Sequence, residues 1–201
     1  MTFDAAGLEV SPIRENDRYG GIRVAMQAHL AEARIHVQID IGFGDVVTPP
    51  ATGLNFPTLL ADMPVPNVLA YPTETIVAEK LEAMVDRGIS NSRMKDYADI
   101  AVAARRLAFE GDVLVAAIRA TFRRRNTPLL EPDIVGLSDR FVEDGSAQAN
   151  WKAYAKRNRL RDFESLAHVV AELRQFLRPP VEHVVSDDIF SASWKPGGPW
   201  T

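Results

Sequence analysis

The chain has 201 residues, of which 46% are hydrophobic, and this content is sufficient to fill the core of an ordinary domain. A formal net charge of -4 excludes a uniformly basic nucleic-acid-binding protein, and the lack of cysteine excludes disulfides, thiolate nucleophiles and cysteine-ligated zinc. No apolar run reaches the roughly 20 residues of a membrane span, and the first residues do not resemble a signal peptide, so we predict a cytoplasmic protein without a membrane segment.

Two alternating segments predict an antiparallel hairpin near the start of the chain. After a Gly20-Gly21 turn, residues 22–30 alternate loosely, and residues 35–41 alternate strictly between apolar and polar side chains. The short Ala31-Glu32 connection between them is typical of a hairpin. Residues 8–13 include a proline and predict a short edge strand ahead of the hairpin.

The second strand of this hairpin presents two different faces. Its apolar residues are expected to contribute to a core, while His36, Gln38 and Asp40 follow one another on the opposite face. This row is either a polar face turned to solvent or the wall of a site into which Asp40 points. The alternation is compatible with both interpretations.

Residues 71–100 predict two helices joined by a tight turn. Pro72 and Thr73 suit the start of the first helix, with Thr73 as its N-cap, and Gly88 suits its end. Asn91 or its neighbour Ser92 can cap the second helix. The rest of the chain is expected to be organised around this pair.

Lys80 lies in the middle of the apolar face of the first helix. A lysine in that position is costly unless it meets an anion. The second helix carries Asp96 and Asp99 in its first turns, where either carboxylate can supply that anion. The apolar residues that share the face with Lys80 are Ile76, Val77, Leu81 and Met84.

Further helices are predicted from Gly111-Asp112, Ser146 and Asp162, and Pro179-Pro180 is expected to end the last of them. Strands followed by helices indicate an α+β fold. We therefore predict a strand-rich region at residues 1–72, a helical domain and a loosely ordered tail. The helical domain is expected at residues 73–180 and the loosely ordered tail at residues 181–201.

The sequence contains no Walker-type phosphate loop, no dinucleotide-binding glycine motif and no HExxH zinc motif. A small polar set remains, consisting of Asp40, Lys80, Arg93, Lys95, Asp96 and Asp99. Lysine provides a point charge for phosphates, and carboxylates hold Mg²⁺, which suits phosphoryl or nucleotidyl transfer. A structural ion pair between Lys80 and Asp96 explains the same residues equally well.

Three segments resemble the nucleotidyltransferase toxins of the AbiEii/AbiGii family. They are the strand VQIDIGFGD, the helix YPTETIVAEKLEAMV and the helix start NSRMKDYADI, at residues 37–45, 71–85 and 91–100. The pairing of an AEK helix with an R-x-KDxxD helix is specific. The resemblance implies a polymerase-β-like nucleotidyltransferase core followed by a helical bundle. It also implies an NTP substrate, Mg²⁺, a cognate antitoxin and, for some members, transfer to tRNA.

The same resemblance assigns roles to individual residues. Lys80 and Asp96 match the catalytic lysine and the aspartate of the last family motif, and Asp99 would support Asp96. Together with Lys80, Arg93 and Lys95 would bind the nucleotide. Asp40 resembles the carboxylate on the strand next to the family's metal-binding strand and is the expected metal ligand.

The chain departs from the family in one respect. The family's first motif is a Gly-Gly or Gly-Ser turn followed by an acid pair, and no such pair follows Gly20-Gly21. The resemblance therefore implies an N-terminally incomplete member with little transfer activity of its own. The alternative is a catalytically inactive protein that binds an antitoxin or RNA. An incomplete sheet would also leave an open strand edge, through which we expect a homo-oligomer to form.

Overall fold

In the computed structural model, which describes residues 1–13, 20–160 and 165–201, the chain divides into two units, residues 1–45 and 46–201. The first unit is one antiparallel sheet in which β3 pairs with β1 and β2 along one edge and with β4 along the other. Its strands are β1 (Thr2–Phe3), β2 (Glu9–Pro12), β3 (Gly21–Leu30) and β4 (Ala33–Gly42).

The predicted hairpin is confirmed. Leu30 lies opposite Ala33, so Ala31 and Glu32 form a two-residue turn, and Ala31 adopts a left-handed conformation with φ of 50°. The expectation that the apolar face of β4 joins a core is wrong, because Ile39 is 47% exposed. A sheet buries a face only against a second layer, and the described part of this unit consists of a single layer.

The second unit contains a small hairpin followed by helices. The hairpin strands are β5 (Thr52–Asn55) and β6 (Asn67–Ala70). The helices are α1 (Thr73–Arg87), α2 (Met94–Arg106), α3 (Gly111–Arg125), α4 (Asp139–Glu143), α5 (Gly145–Asn158) and α6 (Leu166–Ser186). A further short pair consists of β7 (Phe109–Glu110) and β8 (Ser193–Trp194).

These helices enclose the main hydrophobic core. α1 packs against α3, while α6 packs against both α2 and α3. Fully buried side chains of the core include Leu81, Met84, Ile100, Leu114, Ile118, Phe141, Leu173, Phe176 and Leu177. The mixture of antiparallel sheets and packed helices confirms the predicted α+β class.

A buried ion pair ties α1 to α3. Arg125 donates to Glu82 at 2.6 Å, and the hydroxyl of Thr127 donates to the same carboxylate. Arg125 lies in the last turn of α3, where a cation also complements the helix dipole. Glu82 is buried, so its charge requires such partners.

The predicted end of the last helix at Pro179-Pro180 is wrong, since α6 continues through both prolines to Ser186. Proline at position 180 removes the N–H that would normally bond the carbonyl of Phe176. The indole of Trp200 donates to that carbonyl instead, at 2.9 Å. The predicted helix start at Asp162 lies outside the described residues.

The residues after α6 are packed against the helices. Trp194 is buried and donates its indole N–H to the carbonyl of Ala104 near the end of α2, at 2.7 Å. Trp200 stacks on Phe176 with ring centroids 5.8 Å apart. Much of the segment predicted as a loosely ordered tail therefore belongs to the core of the second unit. Within the described ranges, no helix combines the length and apolar composition of a membrane span.

Candidate functional site

α1 places Lys80 at the edge of the core. The helix spans Thr73–Arg87 and Gly88 follows its end as predicted, but Pro72 rather than the predicted Thr73 occupies the N-cap position. Val77, Leu81 and Met84 are buried on the face that Lys80 shares. The Lys80 side chain is itself only 17% exposed.

α2 presents two aspartates to this lysine, and its start is held in place by buried polar contacts. The carbonyl oxygen of the Asn91 side chain accepts from the backbone N–H of Arg93 at 3.0 Å. Tyr97 is buried, stacks on Phe141 and donates its hydroxyl to the carbonyl of Gly136 at 2.9 Å. These contacts fix the first turns of α2.

The ammonium group of Lys80 bridges both aspartates. Its Nζ lies 2.8 Å from Oδ1 of Asp96 and 2.8 Å from Oδ2 of Asp99. Arg93 donates its Nε to the second oxygen of Asp96 at 2.5 Å, and Lys95 lies 3.9 Å from Asp99. The structure thus brings together five of the six predicted site residues in what we call the lysine–aspartate cluster.

Burial and charge act in opposite directions in this cluster. Burial alone would lower the pKa of Lys80, but the hydrogen bonds and charges of Asp96 and Asp99 outweigh it, so this pKa is raised. Burial would likewise raise the pKa of Asp96, but Arg93 and Lys80 bring it below its ordinary value. Both groups are therefore charged at neutral pH.

The predicted metal ligand Asp40 belongs to the first unit and has a cation of its own. Arg23, directly opposite on β3, donates to both oxygens of this carboxylate at 2.8 and 2.9 Å. Gln38 contacts the same group, and the Asp40 side chain is exposed. The hydrogen bond from Arg23 lowers the pKa of Asp40. A role for Asp40 in metal binding stays a prediction.

An open cleft of about 570 Å³ adjoins the cluster. One wall is the start of α2, from Ser92 to Asp96, and the other is a face of α5. Sequence reasoning missed this wall, although its residues recur at helical spacing. They are Asn150, Ala153, Tyr154, Arg157 and Asn158.

The cleft and the cluster share Arg93, Lys95 and Asp96, and Tyr154 lines the opposite wall. Burial and the negative charge of Asp99 raise the pKa of its hydroxyl, which therefore stays protonated and can donate a hydrogen bond. The cleft and the lysine–aspartate cluster thus form one continuous polar region of the second unit.

Comparison with known proteins gives one informative match. The sequence model of the family described as "Nucleotidyl transferase AbiEii toxin, Type IV TA system" matches residues 3–176. No curated protein and no solved structure matches the chain significantly. The match spans both units and contains the whole lysine–aspartate cluster. The chain therefore belongs to the AbiEii family of nucleotidyl transferase toxins from type IV toxin–antitoxin systems.

Proposed function

We propose that this chain is the nucleotidyltransferase component of a bacterial toxin–antitoxin system and acts in the cytoplasm on an NTP and an RNA acceptor of the tRNA class. In this reaction an acceptor oxygen bonds to the α-phosphorus of the NTP while the bond to pyrophosphate breaks. The observation that carries the proposal is the Lys80 ammonium held by two aspartates within the motifs that resemble the family. A cognate antitoxin is the partner that the family suggests.

The geometry around Lys80 supports a phosphate-binding role. An ammonium group has three N–H donors, and Asp96 and Asp99 accept from two of them. The third donor can bond a phosphate oxygen without breaking either contact. Pre-positioned charge of this kind stabilises the charge that develops during phosphoryl transfer. Asp96 and Asp99 would hold the lysine, while Arg93 and Lys95 would contact further phosphate oxygens.

The described residues do not fit a bound Mg²⁺. Nucleotidyltransferases generally use a divalent metal, yet no group of three His, Asp or Glu side chains converges in the described ranges. Both oxygens of Asp40 and both oxygens of Asp96 already accept from cationic side chains. We therefore assign Mg²⁺ to the proposed reaction by family alone and derive no step through it.

Nucleotide binding at Lys80 should be measurable as thermal stabilisation. At NTP concentrations ten times Kd, we expect the melting temperature to rise by about 3–6 °C. Lys80→Ala should abolish this shift, whereas Lys152→Ala, which removes a lysine from α5 on a different cleft, should retain it. A shift that survives Lys80→Ala, or no shift in the unmodified chain, would show that the cluster is only a structural ion pair.

The same proteins can be assayed for transfer of radiolabelled nucleotide to tRNA in the presence of Mg²⁺. Because no acid pair follows Gly20-Gly21 in this sequence, we expect weak labelling, which Lys80→Ala should reduce to background. Labelling of equal strength after Lys80→Ala would contradict a catalytic role for Lys80.

A second candidate function is a catalytically inactive protein that binds an antitoxin or RNA. The saturation of Asp40 and Asp96 by arginine and lysine favours it, since neither carboxylate has an oxygen without a cationic partner. On this interpretation Lys80→Ala would leave partner binding intact.

We also propose that the chain self-associates through β4. This strand exposes Ile35, Ile39 and Ile41, and in the described part of the sheet it pairs along one edge only. Light scattering after size-exclusion chromatography should therefore show a mass that increases with protein concentration. Ile39→Lys should suppress this association, while Arg34→Lys on the same strand should not. A monomer at all concentrations would contradict the proposal.

A further inference from the structure

The cleft beside the lysine–aspartate cluster has the composition of a nucleic-acid-binding surface. Its α5 wall carries Arg157 and the ring of Tyr154, together with two amide side chains at 150 and 158. Arginine binds phosphate, aromatic rings stack on bases, and amides bond base edges or ribose hydroxyls. None of the α5 residues lies in the segments that resemble the family motifs.

The charge of the cleft is moderate. Arg93, Lys95 and Arg157 line it together with the single carboxylate of Asp96. A triphosphate concentrates several negative charges in one place, whereas an RNA strand carries one phosphate per nucleotide. With Arg93 and Lys95 assigned to the NTP, the α5 wall offers the single cation of Arg157, which suits an RNA strand better than a triphosphate.

The length of the α5 wall also suits a strand. From Asn150 to Asn158 it extends roughly 12 Å, at about 1.5 Å per helical residue. The cleft is open, which allows a chain to enter and leave, and Arg93, Lys95 and Asp96 of the lysine–aspartate cluster line it. A strand in the cleft would thus pass close to the group that we propose to bind the NTP.

We infer that the face of α5 formed by Asn150, Tyr154, Arg157 and Asn158 binds the single-stranded end of the RNA acceptor. This inference rests on the proposed function, since it supplies the second substrate of the same reaction. Arg157 bonds the RNA phosphates, and Tyr154 provides a stacking surface and a hydroxyl donor. The lysine–aspartate cluster binds the nucleotide.

Fluorescence anisotropy with a labelled single-stranded RNA of about 12 nucleotides tests the inference on the full chain. Arg157→Ala should weaken binding roughly tenfold and reduce the slope of log K against log salt by about 0.7–1. Lys152→Ala is the matched control, because it removes one positive charge from the same helix but lines a different cleft. Its affinity and salt slope should equal those of the unmodified chain.

A second variant protects the test against misfolding. The side chain of Asn150 is exposed, so Asn150→Ala should fold normally and still weaken RNA binding. Unchanged RNA affinity in both the Arg157 and Asn150 variants would overturn the inference, as would the absence of RNA binding by the unmodified chain. Loss of NTP binding on Arg157→Ala with RNA binding unchanged would also overturn it.

The inference and the proposed function fail in different ways. RNA binding that depends on Arg157, combined with no NTP-induced stabilisation, would support the RNA surface and refute the nucleotide site. NTP-induced stabilisation that depends on Lys80, combined with RNA binding that Arg157→Ala leaves unchanged, would support the nucleotide site and refute the RNA surface.

Discussion

Asp96→Ala is expected to lower the free energy of unfolding by about 3 kcal/mol, near the lower end of what removal of one partner from a buried ion pair costs. The carboxylate is 3% exposed and accepts from Lys80 and Arg93. Its loss leaves a lysine that is 17% exposed with Asp99 as its remaining partner, which limits the penalty. Urea denaturation followed by circular dichroism measures the difference. A change within about 0.5 kcal/mol would contradict a structural contribution from this pair.

A double variant separates structure from function at this site. Replacing both partners, as in Lys80→Met with Asp96→Leu, should recover most of the lost stability, because an apolar pair of similar size needs no charge compensation. The NTP-induced shift should nevertheless stay absent, since the ammonium group is gone. If the double variant regained both the stability and the NTP-induced shift in melting temperature, Lys80 would not bind nucleotide.

The contribution of Asp96 to the free energy of unfolding is expected to fall at low pH. Its pKa is lowered in the folded protein, so its stabilisation is complete above the unfolded value of about 3.9 and is lost as pH falls through the folded value. The pKa of Lys80 is raised, so its stabilisation is complete below about 10.4 and is lost at higher pH. The stability difference between the unmodified chain and Asp96→Asn should therefore be level between these limits and shrink below pH 4.

Trp194→Ala is expected to have the largest effect of all, a loss of about 3–5 kcal/mol. The side chain is 4% exposed and packs against Phe176 with ring centroids 5.0 Å apart. Its indole N–H also bonds the carbonyl of Ala104, which lies near the end of α2. Lys195→Ala changes an exposed neighbour and should leave stability nearly unaltered. Equal stability of both variants would mean that the C-terminal segment does not contribute to the core.

The link between Trp200 and Pro180 can be tested by a thermodynamic cycle. Trp200→Phe keeps the aromatic packing but removes the donor to the Phe176 carbonyl, at a cost of about 1–3 kcal/mol. Pro180→Ala restores the helical N–H for the same carbonyl and should offset part of that loss. We expect a coupling of about 1 kcal/mol between the two substitutions. Strict additivity would show that Trp200 does not replace the missing helical bond.

Local patterns were sufficient for the hairpin and for the two central helices. Alternation over residues 35–41 and the short turn at Ala31-Glu32 define β3 and β4, because strand pairing across a two-residue loop is a local event. The end of α1 before Gly88 follows from the preference for glycine after a helix, and Pro72 marks its start, although no side chain caps it. The pairing of Lys80 with Asp96 follows because a lysine on an apolar helix face needs an anion, and the neighbouring helix supplies one.

Long-range contacts decided the features that local patterns misjudged. The prolines of α6 read as a helix end, yet a tryptophan twenty residues later supplies the missing donor. The pairing of Arg125 with Glu82 joins positions 43 residues apart, and no local preference encodes it.

The sequence by itself determined the α+β class, the hairpin, the AEK and R-x-KDxxD helices and, through them, the family. These features depend on hydrophobic periodicity and on contacts between residues that are near in the sequence, and both can be read from the order of residue types. Only the tertiary structure decided that Asp99 shares the lysine with Asp96, that α5 forms the second wall of a basic cleft and that the C-terminal tryptophans complete the core. Those properties depend on which helix faces meet, and that is set by the packing of the whole second unit.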